Sequence, residues 1–378
     1  MPTRRLFTLA CASAAVLAGA LLHGCAGTPP GVGGEPPRRV DASTTEYDLY
    51  EALGYRLAWR GFPVVPARRA AKFVVADENV IVFQDNGDTV TLLDTATGMR
   101  RWATEVDSPL TRFVGNTIAG DRVYCASDNE LFVLDIRTGE LLERHNLAVV
   151  VTTRPLVMGS MAFFGSAPGE LLGHNLISTY KQWGYRLRNS ITARPVRTGP
   201  YVAAVSQAGD VLIVNPANGS SVGRASIFGG LSNDPVADDT TVYIASTDQS
   251  VYAIANERGS IRWRHRAEQP IVAQPTLHDG SLYVHIPGRG LVCFDATNGA
   301  IRWESVDARG EVIAKRAGRL LVWDADRRVV RTLDPERGDI VETVELRDVF
   351  TLVTDTFVDG VLYSVNPGGR ISRWNPRL

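Results

Sequence analysis

An all-β ring is the fold class that the sequence predicts, and three observations predict it. Apolar stretches of the 378-residue chain end at Asp94, Asp135, Asn175, Asn215, Ala255, Asp295, Asp334 and Asn375, a column with a spacing of 39 to 41 residues. Four positions later the chain carries Gly98, Gly139, Gly219, Gly259, Gly299 and Gly338, with Thr179 in the one remaining place. Eight positions later it carries Trp102, Trp183, Trp263 and Trp303, replaced elsewhere by Glu143, Gly223 and Glu342. Between markers, each repeat divides into four short strands. In the sixth they run over 272–277, 281–286, 291–295 and 300–306, parted by turns at Asp279-Gly280 and Gly288. Four-stranded units with this period predict an eight-bladed β-propeller, in which each blade buries both faces against its neighbours.

Each marker has a structural reason. A side-chain oxygen of Asp or Asn caps a tight turn, Gly supplies a positive φ, and Trp fills the space between adjacent sheets. The eighth repeat stops at its third strand, 370–375, while Tyr55-Arg-Leu57-Ala-Trp59 has the pattern of a fourth, Trp-bearing strand. That N-terminal strand is predicted to complete the last blade, which makes residues 55–378 one closed propeller.

Ahead of it, Arg4 and Arg5 precede an apolar run from Leu6 to Leu22 and then Leu22-His23-Gly24-Cys25, which resembles a bacterial lipoprotein signal. The resemblance implies a signal peptide over 1–24, lipidation of Cys25 and, because Ala26 and Gly27 supply no inner-membrane retention Asp, a place in the outer membrane facing the periplasm. Residues 25–54 read as a tether: 27–39 is rich in Gly and Pro and too poor in apolar residues to form a core. A short helix is expected over Ser43–Leu53, with Ser43 or Thr44 as N-cap and Glu46 in its first turn.

Composition narrows the function. Forty Lys plus Arg against 41 Asp plus Glu give a net charge of -1, which argues against a nucleic-acid binder. Cys125 and Cys293 fall in the second and sixth repeats, on opposite sides of the ring, and read as buried hydrophobes rather than a disulfide. No Cys/His cluster has zinc spacing, and HExxH, GxSxG and P-loop motifs are missing. His145, His174, His265, His278 and His285 read as isolated surface or turn residues. No catalytic residue, metal or cofactor is therefore expected. Arg262, Arg264 and Arg266 alternate with Trp263 and His265 to form a basic stripe on a predicted outer strand.

The Asp-x-x-x-Gly-x-x-x-Trp signature resembles the PQQ-like propeller repeat over 55–378. Such repeats occur in quinoprotein dehydrogenases and in proteins that bind no quinone, and the enzymes' long insertions, adjacent-cysteine pair and acidic calcium site are not evident here. With a lipoprotein signal added, the layout is similar to the BamB family of outer-membrane assembly lipoproteins. That resemblance implies a monomeric, non-enzymatic scaffold in the β-barrel assembly complex. It also implies partner contacts at Tyr185, Leu187 and Arg188, which match a Leu-x-Leu-Arg stretch with Tyr185 replacing a Leu, and at Asn233 and Asp234 before a Pro turn. Alternation along the strand equally allows Trp183, Tyr185 and Leu187 to pack between blades. Two other readings stay open: an extracytoplasmic sensor or scaffold for a different partner, and a quinone-dependent dehydrogenase.

Overall fold

The computed structural model describes residues 38–39, 45–66 and 69–377. Cys25 and the expected signal 1–24 lie outside the described residues, as do Ser43 and Thr44, the expected helix caps.

Eight sheets follow one another along the chain, each built on four antiparallel strands; in seven of them these strands are consecutive in sequence, the last sheet takes one from the N-terminal side, and the seventh gains a fifth, parallel strand, Arg38–Arg39, beside Ile340–Glu345. The first blade comprises Ala71–Ala76, Val80–Asp85, Thr89–Asp94 and Arg100–Glu105; the sixth comprises Thr276–His278, Ser281–Ile286, Gly290–Asp295 and Ile301–Ser305. The sixth blade's first strand is shorter than the expected 272–277, because Gln274 turns aside to bond the backbone N–H and carbonyl of Asp234 in the preceding loop. Middle strands are almost wholly buried, as in Val80–Asp85, whereas last strands alternate, as in Arg100–Glu105, where Trp102 is buried between exposed neighbours. Middle strands therefore supply the apolar packing between blades, and last strands form the outer wall.

The ring closes as the sequence predicts. Tyr55–Gly61 pairs antiparallel with Ile371–Pro376, Tyr55 opposite Pro376 and Arg60 opposite Ser372, so the last blade takes strands from both ends of the described chain. The helix spans Glu46–Ala52 and its N-cap is Thr45, whose Oγ1 accepts the Asp48 N–H while the Asp48 carboxylate accepts the Thr45 N–H. This helix, expected within a tether, packs against the ring. Tyr50 is fully buried and stacks on Trp374 with centroids 3.6 Å apart, and Glu46 pairs with Arg60 at 2.6 Å and Arg370 at 3.4 Å. Burying Tyr50 and Leu53 among residues of the seventh and eighth blades fixes the helix across the closing seam.

The marker residues lock one blade to the next. Asp135 Oδ1 accepts the N–H groups of Arg137 and Thr138, and Asp295 Oδ1 accepts that of Thr297, which holds each third-to-fourth-strand turn. The Gly139 and Gly299 that end these turns have φ near +75° (73° and 75°). Each Trp then reaches across the seam. Its indole N–H donates to the carbonyl just after the next blade's marker: Trp59 to Thr95, Trp102 to Ile136, Trp183 to Pro216, Trp263 to Ala296 and Trp303 to Pro335, all at 2.7 to 3.0 Å. The ring lies where a Cβ on the next blade's glycine would sit; on Gly139 it would come 2.4 Å from Trp102. Gly is thus required twice, by its φ and by the indole of the previous blade.

Where the Trp is missing, the seam changes. The second blade has Glu143, and the third has Thr179, at φ 65°, in place of Gly. His145 fills the gap, its Nδ1 lying 3.0 Å from His174 Nε2 and its Nε2 2.7 Å from the Glu143 carboxylate. These two histidines are not the isolated residues expected: they lie 29 apart in sequence, are 2% and 0% exposed, and meet only through the blade packing. Burial and the neighbouring His145 pull His174 down to about 4. Cys125 and Cys293 are free and buried, in the second and sixth blades.

Candidate functional site

The two faces of the ring differ. One carries the marker turns. The other carries the eight connections from the last strand of a blade to the first strand of the next, and it is on this connecting-loop face that the sequence-predicted partner residues fall.

Tyr185 is the penultimate residue of the third blade's outer strand, Lys181–Arg186, and Leu187 follows that strand. Both are half-buried, packed with Trp183 against the core between the third and fourth blades, and the Arg224 guanidinium covers the Tyr185 ring at 4.9 Å. Arg188 turns outward. It pairs with Asp210 through Nε at 3.0 Å and Nη2 at 2.5 Å, while its backbone N–H donates to the same carboxylate. This pair raises the guanidinium and lowers the Asp210 carboxyl from their ordinary values. Asp234 points elsewhere, towards the central channel: its Oδ1 accepts the Arg194 N–H at 2.7 Å, and Oδ2 lies 4.0 Å from Arg154. Asn233 is half-buried beside it. The structure therefore does not gather the five residues into one cluster. Tyr185 and Leu187 support the loop from below, Arg188 stands on its rim and Asp234 lies at the channel. The two loops are tied by Gln207, whose amide donates to Thr192 Oγ1 and to the Leu231 carbonyl; nothing in the repeat pattern singled this residue out.

Sequence reasoning also missed what is most exposed on this face. Among the described residues, seven of the eight connecting loops present a large apolar side chain to solvent: Phe62, Leu110, Val150, Phe228, Val272, Val306 and Phe350, from 46% exposed at Phe350 to 89% at Leu110. The eighth loop, 187–195, presents Arg188 instead. Isolated exposed hydrophobes need no explanation, but one per loop around a single face is a patterned apolar rim. Its signal in the sequence is an apolar residue a few positions past each outer strand, at no fixed offset from the marker. The basic stripe lies on the outer wall, where Arg264 bonds Ser250 Oγ and covers the Tyr252 and Phe228 rings.

At the centre of the same face the channel opens into a cavity of about 480 Å3, lined by inner-strand residues 72–75 and 114–116, by loop residues including Arg154, Arg194 and Asp234, and by Phe350 and Thr351. Arg194 donates to the Pro155 carbonyl at 2.9 Å and is pulled down to about 10 by burial and Arg154. Glu311, on the seventh blade's first strand, is pushed up to about 7 by burial and the Asp234 carboxylate.

Fold and markers together define an eight-bladed propeller of PQQ-like repeats. The family model described as "Outer membrane protein assembly factor BamB" matches residues 50–265 and 207–342, and the chain belongs to that family. A curated relative, outer membrane protein assembly factor BamB of Yersinia pestis, is 24% identical over 160 residues, covering 38% of this chain and 40% of the relative. The chain thus matches less than half the length of that relative. Among solved structures, BamB from Moraxella catarrhalis superposes with a TM-score of 0.67 at 17% identity, covering 85% of this chain and 97% of that one. The computationally designed Ika8 protein gives 0.67 at 14% identity over 82% and 96%, and the C-terminal WD40 domain of Sif2 gives 0.66 at 12% over 85% and 98%. At these identities the structural likenesses establish the propeller architecture alone.

Proposed function

We propose that this chain is a lipid-anchored, non-enzymatic scaffold that docks a protein of the outer-membrane β-barrel assembly complex on its connecting-loop face, and so serves the assembly and insertion of β-barrel proteins. Cys25 is the proposed lipidation site, which places the propeller in the periplasm at the outer membrane, as a monomer. The observation that carries the docking is the apolar rim beside Arg188: exposed aromatic and aliphatic side chains next to a guanidinium have the composition of interface hot spots. Arg188 and Phe228 make direct contact in this reading, Asn233 and Asp234 flank them, and Tyr185 and Leu187 hold the loop in place. Family membership supports the same partner class.

Affinity purification from gently solubilised membranes tests it, comparing wild type with a Phe228→Ser, Arg188→Ala double variant. The wild type is expected to recover the barrel-assembly protein and the folded variant to lose it. Equal recovery by both, or recovery of an unrelated envelope complex by both, overturns the assignment.

A further inference from the structure

The channel mouth carries a second, smaller site. Asn116 on the second blade's inner strand is 1% exposed, yet neither its amide nitrogen nor its amide oxygen has a hydrogen-bond partner, and it lines the 480 Å3 cavity. Burying an unpaired amide costs about 1 to 3 kcal/mol, so a satisfied Asn116 is strongly preferred to an orphaned one. Three cations border the same cavity: Lys72 from the first blade, Arg154 from the loop into the third and Arg194 from the loop into the fourth. Their local partners leave capacity unused. The Lys72 ammonium donates to the Phe113 carbonyl, Arg154 reaches only the Asp234 carboxylate at 4.0 Å, and the buried Nε of Arg194 has no partner. The single carboxylate on the wall, Asp234, already accepts a backbone N–H. A local excess of positive charge in a chain of net charge -1 is a property of this site and not of the surface at large.

We propose that the channel mouth binds a carboxylate ligand that carries an adjacent amide, the chemistry of an N-acylated amino acid or the acidic end of a peptide. Guanidinium forks at Arg154 and Arg194 match a carboxylate, and Lys72 adds a point charge. The Asn116 side chain offers one donor and one acceptor face to the ligand's amide. The cavity admits a small molecule of this kind. The site borders the proposed docking face, sharing Phe350 and Asp234 with it, but its ligand-contacting residues Lys72, Asn116, Arg154 and Arg194 are not on the rim.

Isothermal titration of the full-length, detergent-solubilised protein with N-acetylglycine, propionate and inorganic phosphate tests the proposal. N-acetylglycine is expected to bind about tenfold more tightly than propionate, the difference of one well-made buried hydrogen bond. Arg154→Gln should weaken both by about tenfold. Asn116→Leu, or Asn116→Ser should the larger side chain disturb the blade, should abolish the preference for the amide. No binding of N-acetylglycine up to about 20 mM overturns the site, since that corresponds to under about 2.3 kcal/mol of binding. Tighter binding of phosphate than of N-acetylglycine, or a preference unchanged in both Asn116 variants, overturns the ligand class. None of these substitutions touches Arg188 or Phe228, so failure here and failure of the docking reading are separately visible.

Discussion

The two faces of the ring use side chains for opposite purposes. On the marker-turn face, Asp, Gly and Trp recur with a fixed spacing because they do the same job in each seam that has the Trp: the carboxylate or amide oxygen holds the turn, the glycine admits the indole, and the indole N–H ties the turn to the previous blade, whereas Gly259, behind Gly223, meets only the Arg224 backbone. On the connecting-loop face, the recurrent feature is an exposed apolar residue that touches no shared partner and keeps no register. Residues that repeat exactly in sequence belong here to architecture, and the less regular loops are where the proposed docking is placed.

That contrast can be broken in order of size. Removing 55–61 deletes a whole strand and six registered pairs from the last blade and detaches the helix that covers the closing seam. The expected result is loss of cooperative unfolding near neutral pH, read by circular dichroism; a truncated chain that melts like wild type would mean the ring does not depend on this closure. Next, Trp102→Ala empties the first seam and orphans the Ile136 carbonyl, at a cost of about 3 to 5 kcal/mol in urea unfolding. Gly139→Ala, which meets the same indole at 2.4 Å and has φ 73°, should cost about 2 to 4 kcal/mol, whereas Thr179→Ala, across from Glu143 in a seam that lacks the Trp, should cost under about 1 kcal/mol. Similar losses at both positions would separate the glycine from the indole.

The histidine seam offers a sharper contrast, because it titrates in the acid range. His174 is held near 4, below its ordinary value of 6.5, so folding favours the neutral ring. Its contribution is complete above about 6.5 and is lost as pH falls from there towards 4, by roughly 2 to 3 kcal/mol, with His145 as its facing partner and Glu143 bonded to the far side of His145. Urea midpoints between pH 7 and pH 4.5 should fall more steeply for wild type than for His174→Asn. Parallel slopes would remove the pair as a source of acid sensitivity. The smallest effect is expected on the other face: Leu110→Ser and Arg188→Ala, both exposed, should each shift stability by less than about 1 kcal/mol.

The same contrast explains what the sequence disclosed. The blade count, the strand order and the closure by 55–61 were legible because turn geometry and seam filling demand particular residues at fixed intervals. Alternation at Trp183, Tyr185 and Leu187 foretold their packing between blades, and the structure shows that packing. The His145–His174 contact was not legible, since it depends on two blades meeting and on the missing Trp at Glu143. Nor was the apolar rim, whose members share a face without sharing a register. The helix was legible as a helix but not as part of the ring, because the Tyr50 partner, Trp374, lies at the far end of the chain.

Site-specific photo-crosslinking in intact cells tests the central claim most directly, with the probe placed in turn at Phe228 on the connecting-loop face and at Ile177 on the marker-turn face, which are 86% and 82% exposed. The account predicts that Phe228 captures the barrel-assembly protein and Ile177 does not. Capture from Ile177 alone, or equally from both, would contradict it.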